Sequence, residues 1–118
     1  MQEFDSYNKK NLSEMQKELD VYISQFKDGY FSPMSQVVRL TEEVGELARE
    51  VMNTYGEKKK KESEPEGSIK EELTDVLVVT MLIANQLDID LTSSFDENLA
   101  KFYKRDIYRF PRVDGREG

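Results

Sequence analysis

Apolar residues recur along this chain in four stretches at intervals of three and four, the period of a helix face. In the first, Ser13 and Gln16 stand at capping-box separation, Met15, Leu19, Tyr22, Ile23 and Phe26 follow, and Asp28-Gly29 closes the segment. The pattern predicts a helix over about 13–27. In the second, Ser32 is placed to cap and Pro33 to open the helix, and Val37, Leu40, Val44, Leu47 and Val51 form one stripe that stops at Gly56. Ser68 and Glu71 make a capping-box pair ahead of the third. The apolar residues of 73–87 (LTDVLVVTMLIANQL) surround that helix nearly completely, so it is predicted to be buried. Its VLVV run has strand composition, but the apolar stretch is too long for one strand and opens with a helix cap. After a connection at 88–91, Thr92, Ser93 and Ser94 offer caps, and Ser94 with Glu97 fits a capping box. A fourth helix is predicted over about 94–108, with Phe95, Leu99 and Phe102 inward.

These elements sum to an all-α helical bundle of four main helices in a single domain spanning 1–118. Residues 1–11 and 111–118 read as flexible polar ends. Residues 57–67 (EKKKKESEPEG) hold no apolar side chain. They read as a solvated mobile loop, or as a lid whose lysines attract phosphates. A buried third helix in so small a chain asks for helices from another copy, so oligomerisation is expected to complete the bundle.

Composition narrows the chemistry. A net charge of −7 opposes nucleic-acid polymers and anionic membrane surfaces. The chain has no His and no Cys, which excludes imidazole catalysis, thiolate nucleophiles and metal sites built on nitrogen or sulfur. A bound metal must take oxygen ligands, which selects Mg²⁺, Mn²⁺ or Ca²⁺. No apolar run reaches membrane-span length and residues 1–10 lack the apolar segment of a signal peptide, so the expected location is the cytoplasm.

The acidic residues then take on a pattern. At about 100° per residue, Glu43, Glu46 and Glu50 fall along one flank of the second helix, while Glu42 points away from the core. Glu72 and Asp75 are likewise three apart on one side of the third helix. Two carboxylates about 4 Å apart repel by roughly 4 kcal/mol at an effective dielectric near 20. A helix N-terminus offsets only about 0.3–1 kcal/mol of that. Two helices that each supply two acids would form an oxygen cage in which a divalent cation relieves both the repulsion and the burial. The plainer reading is a set of solvated surface acids, since the chain has 24 acidic residues.

The sequence EEVGE at 42–46 followed by ELTD at 72–75 resembles the E-E-x-x-E and E-x-x-D signature of the MazG-like nucleotide pyrophosphohydrolases. The similarity extends from about Gln16 through FKDGYFSP and RLTEEVGELAREV to KFYKRDIYRF, and is closest to small single-domain members. The resemblance implies a helical bundle completed as a homodimer or homotetramer. It implies hydrolysis of a nucleoside triphosphate between its α and β phosphates, giving the monophosphate and pyrophosphate, a nucleotide-pool housecleaning reaction. By motif match, Glu43, Glu46, Glu72 and Asp75 become ligands of Mg²⁺, with Mn²⁺ the alternative, and Glu42 an accessory acid. The family's Lys and Arg near the end of the last helix match Lys101 and Arg105. With Asn98 these share one face beside the Phe95 stripe and suit phosphate binding, although solvated surface charges would look the same. Without His, the base is a carboxylate or the metal site itself, and Glu43 and Glu46 are the catalytic candidates, unranked. Tyr30, Phe31 and Tyr103 are candidates to stack the nucleobase, against simple core packing. The competing function is a catalytically silent, nucleotide-binding helical oligomer acting as a sensor or adaptor. A di-iron carboxylate bundle is set aside because its Glu-x-x-His motif needs a histidine.

Overall fold

In the computed structural model, which describes residues 9–56 and 68–116, four helices follow one another. They are α1 (Leu12–Ser24), α2 (Pro33–Tyr55), α3 (Ile69–Gln86) and α4 (Leu91–Asp106), with no strand among the described residues. The expected loop over 57–67 lies outside the described residues, as do 1–8 and 117–118 of the expected flexible ends. Among the described residues no single helix is long and apolar enough to cross a membrane.

Local chemistry starts each helix. Ser32 caps α2 by accepting the Ser35 N–H at 3.2 Å, with Pro33 in the first turn. Ser68 caps α3 by accepting the Glu71 N–H at 3.2 Å. The other two starts differ from expectation. Asn11, not Ser13, caps α1: its side chain accepts the Glu14 N–H at 2.8 Å, and the Glu14 carboxylate accepts the Asn11 N–H at 3.0 Å. Asp90, not Thr92, Ser93 or Ser94, caps α4 by accepting the Thr92 N–H at 2.9 Å. The reason is tertiary. The Ser13 hydroxyl donates to Asp90 at 2.5 Å, and the Ser13 N–H donates to the Thr92 hydroxyl at 2.8 Å, so these groups join α1 to α4. At the far end of α2, Gly56 leaves the helix with an extended backbone. A Cβ there would sit 2.5 Å from the Met52 carbonyl oxygen, so the stop depends on close approach and not on a left-handed turn.

Helix α2 packs along α3, α1 packs on α3, and α4 leans on α1. The fully buried apolar residues, Val79, Met81, Leu82 and Ala84, all lie in the C-terminal half of α3. Gln16 fixes the turn beyond them. Its amide N–H groups donate to Asn85 at 3.1 Å and to the Ile89 carbonyl at 2.7 Å, and its oxygen accepts the Leu91 N–H at 2.9 Å. Asp88 takes a left-handed φ of 57°, and α4 leaves α3 at 106°. The chain is therefore all-α with four helices, as expected, but α4 stands off the layer of α2 and α3.

Three burial expectations change. Phe95, Leu99 and Phe102, expected inward, are exposed, because α4 has been carried away from the helices that would cover them. The N-terminal half of α3 is also open, with Leu73 54% and Leu77 41% exposed. On α2 the face turned inward is Gln36, Leu40, Glu43, Leu47 and Glu50, whereas Val37, Val44 and Val51 are exposed. That direction is rotated by about 60° from the apolar stripe, toward the acidic flank.

Candidate active site

The rotation of α2 carries its acidic flank into the seam with α3. There Glu43 and Glu46 of α2 meet Glu72 from the first turn of α3, each offering a carboxylate oxygen within 4.8 Å of the others. One oxygen of Glu43 and one of Glu72 are buried and accept no hydrogen bond. Such a group costs free energy unless a cation or donor reaches it. Burial, then the charges of Glu46 and Asp75, hold the Glu43 carboxyl above its ordinary value; Arg39 opposes them and Glu42 adds to them. Burial also leads the upward shift of Glu72, followed by the charge of Glu46 and a hydrogen bond with it, then by Asp75 and Glu43.

The sequence-predicted residues divide into two sets. Glu43, Glu46 and Glu72 converge. Asp75, one turn along α3 and exposed, repels both Glu43 and Glu72, so it fronts the same site without joining the tight cluster. Glu42 is exposed, as its position on the helix wheel requires. Lys101, Arg105 and Asn98 are on α4 and are not brought to the cluster within one chain. Glu72 opens α3 and α4 starts past its end; the rise of about 1.5 Å per residue alone puts about 22 Å between Glu72 and Leu87. Arg105 instead pairs with Asp106 at 2.9 Å and lies over the Phe102 ring. Tyr30 donates to Asp20 at 2.8 Å and accepts from Asn85 at 3.0 Å, near the other end of α3. Phe31 and Tyr103 are exposed.

Sequence reasoning passed over Arg39. It stands four residues before Glu43 and seven before Glu46, on the same flank of the wheel, so its spacing was enough to find it.

A cluster of carboxylate oxygens with two orphaned acceptors, in a chain without His or Cys, suits a hard divalent cation. The same groups can orient water and take a proton from it.

Comparison with known proteins follows the same lines. The family model for the MazG nucleotide pyrophosphohydrolase domain matches residues 31–110. The uncharacterised protein YpjD of Bacillus subtilis strain 168 is 52% identical over 105 residues, covering 89% of this chain and 95% of its own. A crystal structure of YpjD from Bacillus subtilis matches with a TM-score of 0.72 at 51% identity, over 81% of this chain and 98% of that one. A crystal structure of a Bacillus-conserved MazG protein, described as a nucleotide pyrophosphohydrolase, also matches with a TM-score of 0.72 at 51% identity, over 85% and 97% of the two chains.

Proposed function

Because the chain belongs to the MazG nucleotide pyrophosphohydrolase family and is a pyrophosphohydrolase, we propose that it cleaves a nucleoside triphosphate, ribo or deoxy, to the monophosphate and pyrophosphate in a Mg²⁺-dependent reaction. The observation that carries this reading is the convergence of Glu43, Glu46 and Glu72 with two orphaned oxygens among them. These three, with Asp75 beside them, would hold Mg²⁺, or Mn²⁺ in its place. A divalent ion held there would supply positive charge to the triphosphate and to the departing pyrophosphate. Glu43 or Glu46 orients a water toward the α-phosphorus and takes its proton as the new P–O bond forms and the bond to the bridging oxygen of the β-phosphate breaks. Burial, and then the crowding of like charges, raise the proton affinity of Glu43 and suit it to that task. The reaction fits removal of unwanted nucleotides from the cytoplasmic pool.

The chain acts as an oligomer in this reading, a homodimer or homotetramer. Support comes from α2, which turns Val44 and Val51 outward while its glutamates face α3, and from Leu73 and Leu77 beside them. A second copy covers this face. Since α4 of the same chain is remote from the carboxylates, Lys101, Arg105 and Asn98 serve a phosphate site from the neighbouring copy.

The test is a panel of ordinary, deoxy and modified nucleoside triphosphates at fixed Mg²⁺, read by pyrophosphate release. Release that stops on adding chelator supports the reading. Absence of pyrophosphate from every nucleotide overturns it and leaves a silent nucleotide-binding oligomer, a sensor or adaptor, as the function.

A further inference from the structure

Among the described residues, every buried side-chain polar atom without a hydrogen-bond partner lies on α2 or α3. Gln36 Oε1, Glu43 Oε2 and Asn53 Nδ2 belong to α2, and Glu72 Oε2 and Gln86 Oε1 to α3. Each costs free energy where it stands. A cation on the carboxylates would meet Glu43 and Glu72, but Gln36 stands about 10 Å from Glu43 along the helix and gains nothing from it. On the same helix Val37, Val44 and Val51 are exposed. One movement relieves both costs. Turning α2 about its own axis by about 60° sets Val37, Val44 and Val51 against α3. It moves Gln36 and Glu43 to the edge of the seam and Glu46 and Asn53 out toward water. Leu40 and Leu47 stay inward in both settings, and the Ser32 cap survives because Ser35, in the same first turn, supplies its N–H.

We propose that α2 has two rotational settings on α3, and that a divalent cation on the carboxylates selects the acid-inward one. The proposal rests on the metal-holding reading of Glu43, Glu46 and Glu72 and adds what the chain does without the ion. The cation favours the acid-inward setting because the other parts Glu43 and Glu46 from Glu72, so occupancy shifts the population by linkage. A neighbour that covers Val44 and Val51 selects the same setting, since only there do those residues face outward. Metal and neighbour therefore strengthen each other's binding. Without either, a fraction of the chains turns its valines inward and opens the seam. A rigid seam keeps its unmet atoms and responds to neither.

The chain has no Cys, so one introduced thiol reports on one position. Full-length Gln36→Cys, Asn53→Cys and Ala84→Cys are labelled with a maleimide at neutral pH, in Mn²⁺ and in chelator. Ala84 is buried like Gln36, but it borders a cleft with Ser13, Gln16 and Lys17 of α1, on a side of α3 that the turn of α2 leaves alone. The thiols at 36 and 53 are expected to label about tenfold faster in chelator than in Mn²⁺, and the thiol at 84 slowly in both. A thiol at 36 or 53 that stays as protected in chelator as in Mn²⁺ overturns the proposal. So does equal acceleration at 84, which marks unfolding of the whole chain. If Gln36→Cys does not fold, Asn53→Cys decides by the same comparison. Calorimetry with Mn²⁺ separates the premises. An unaltered protein that binds no Mn²⁺ overturns the metal-holding reading and this proposal together. One that binds Mn²⁺ and keeps its seam closed in chelator overturns this proposal alone.

Discussion

Glu72 shows what gathering carboxylates in the seam between α2 and α3 costs in stability. Its carboxyl is held above the ordinary value by burial and by Glu46, so the folded chain binds a proton there more tightly than the unfolded chain does. Folding is therefore least penalised below the ordinary carboxylate value of 4.5. The penalty grows as pH rises through the elevated folded value, and it is fully present above that. Glu43 behaves in the same direction. In chelator, the melting temperature should fall as pH rises from 4.5 through the elevated folded value. Asp90, Asp106 and Asp114 are shifted downward and act in the opposite sense at lower pH, so the clean measurement is the difference between the unaltered protein and Glu72→Gln. That variant should flatten the fall and melt higher at neutral pH without metal. Pyrophosphate release by Glu72→Gln should drop by about 100-fold or more, read at saturating nucleotide and Mg²⁺. A variant that melts lower than its parent in chelator would mean that no repulsion is stored at this position.

At the scale of elements, the turn from α3 into α4 depends on Asp90 and Gln16. Replacing Asp90 with Ala removes the α4 cap and the acceptor for Ser13, and should cost about 1–2 kcal/mol in urea unfolding. The starts of α2 and α3 were legible in the sequence because Ser32, Pro33 and Ser68 act within their own first turns. Those of α1 and α4 were not, because the hydroxyls of Ser13 and Thr92 bond across 79 residues of chain instead of to their own helices. The carboxylates were legible for the same local reason as α2: spacing of three on a helix places Glu43 and Glu46 together whatever surrounds them. The orientation of α2 was not legible, since a wheel takes the apolar stripe as inward. Here Gln36, Glu43 and Glu50 share the inward face with Leu40 and Leu47, and Gln36, only 1% exposed, is the most buried residue of α2.

At the scale of the molecule, an outward apolar face on α2 and α3 predicts association. Light scattering should give a mass at least twice the 13.8 kDa of one chain. Val44→Glu or Leu77→Glu, both at exposed apolar positions, should shift the mass toward 13.8 kDa and lower the melting temperature. A single-chain mass for the unaltered protein at micromolar concentration would remove the argument for shared sites. The rotated placement of α2 has a consequence for dosage. If the glutamate seam is held straight by contacts that a neighbour supplies, then dilution dismantles catalyst as well as complex. Output should climb more steeply than in proportion to the amount of protein, so that a cell making a little of it gains almost nothing and a cell making somewhat more crosses a threshold.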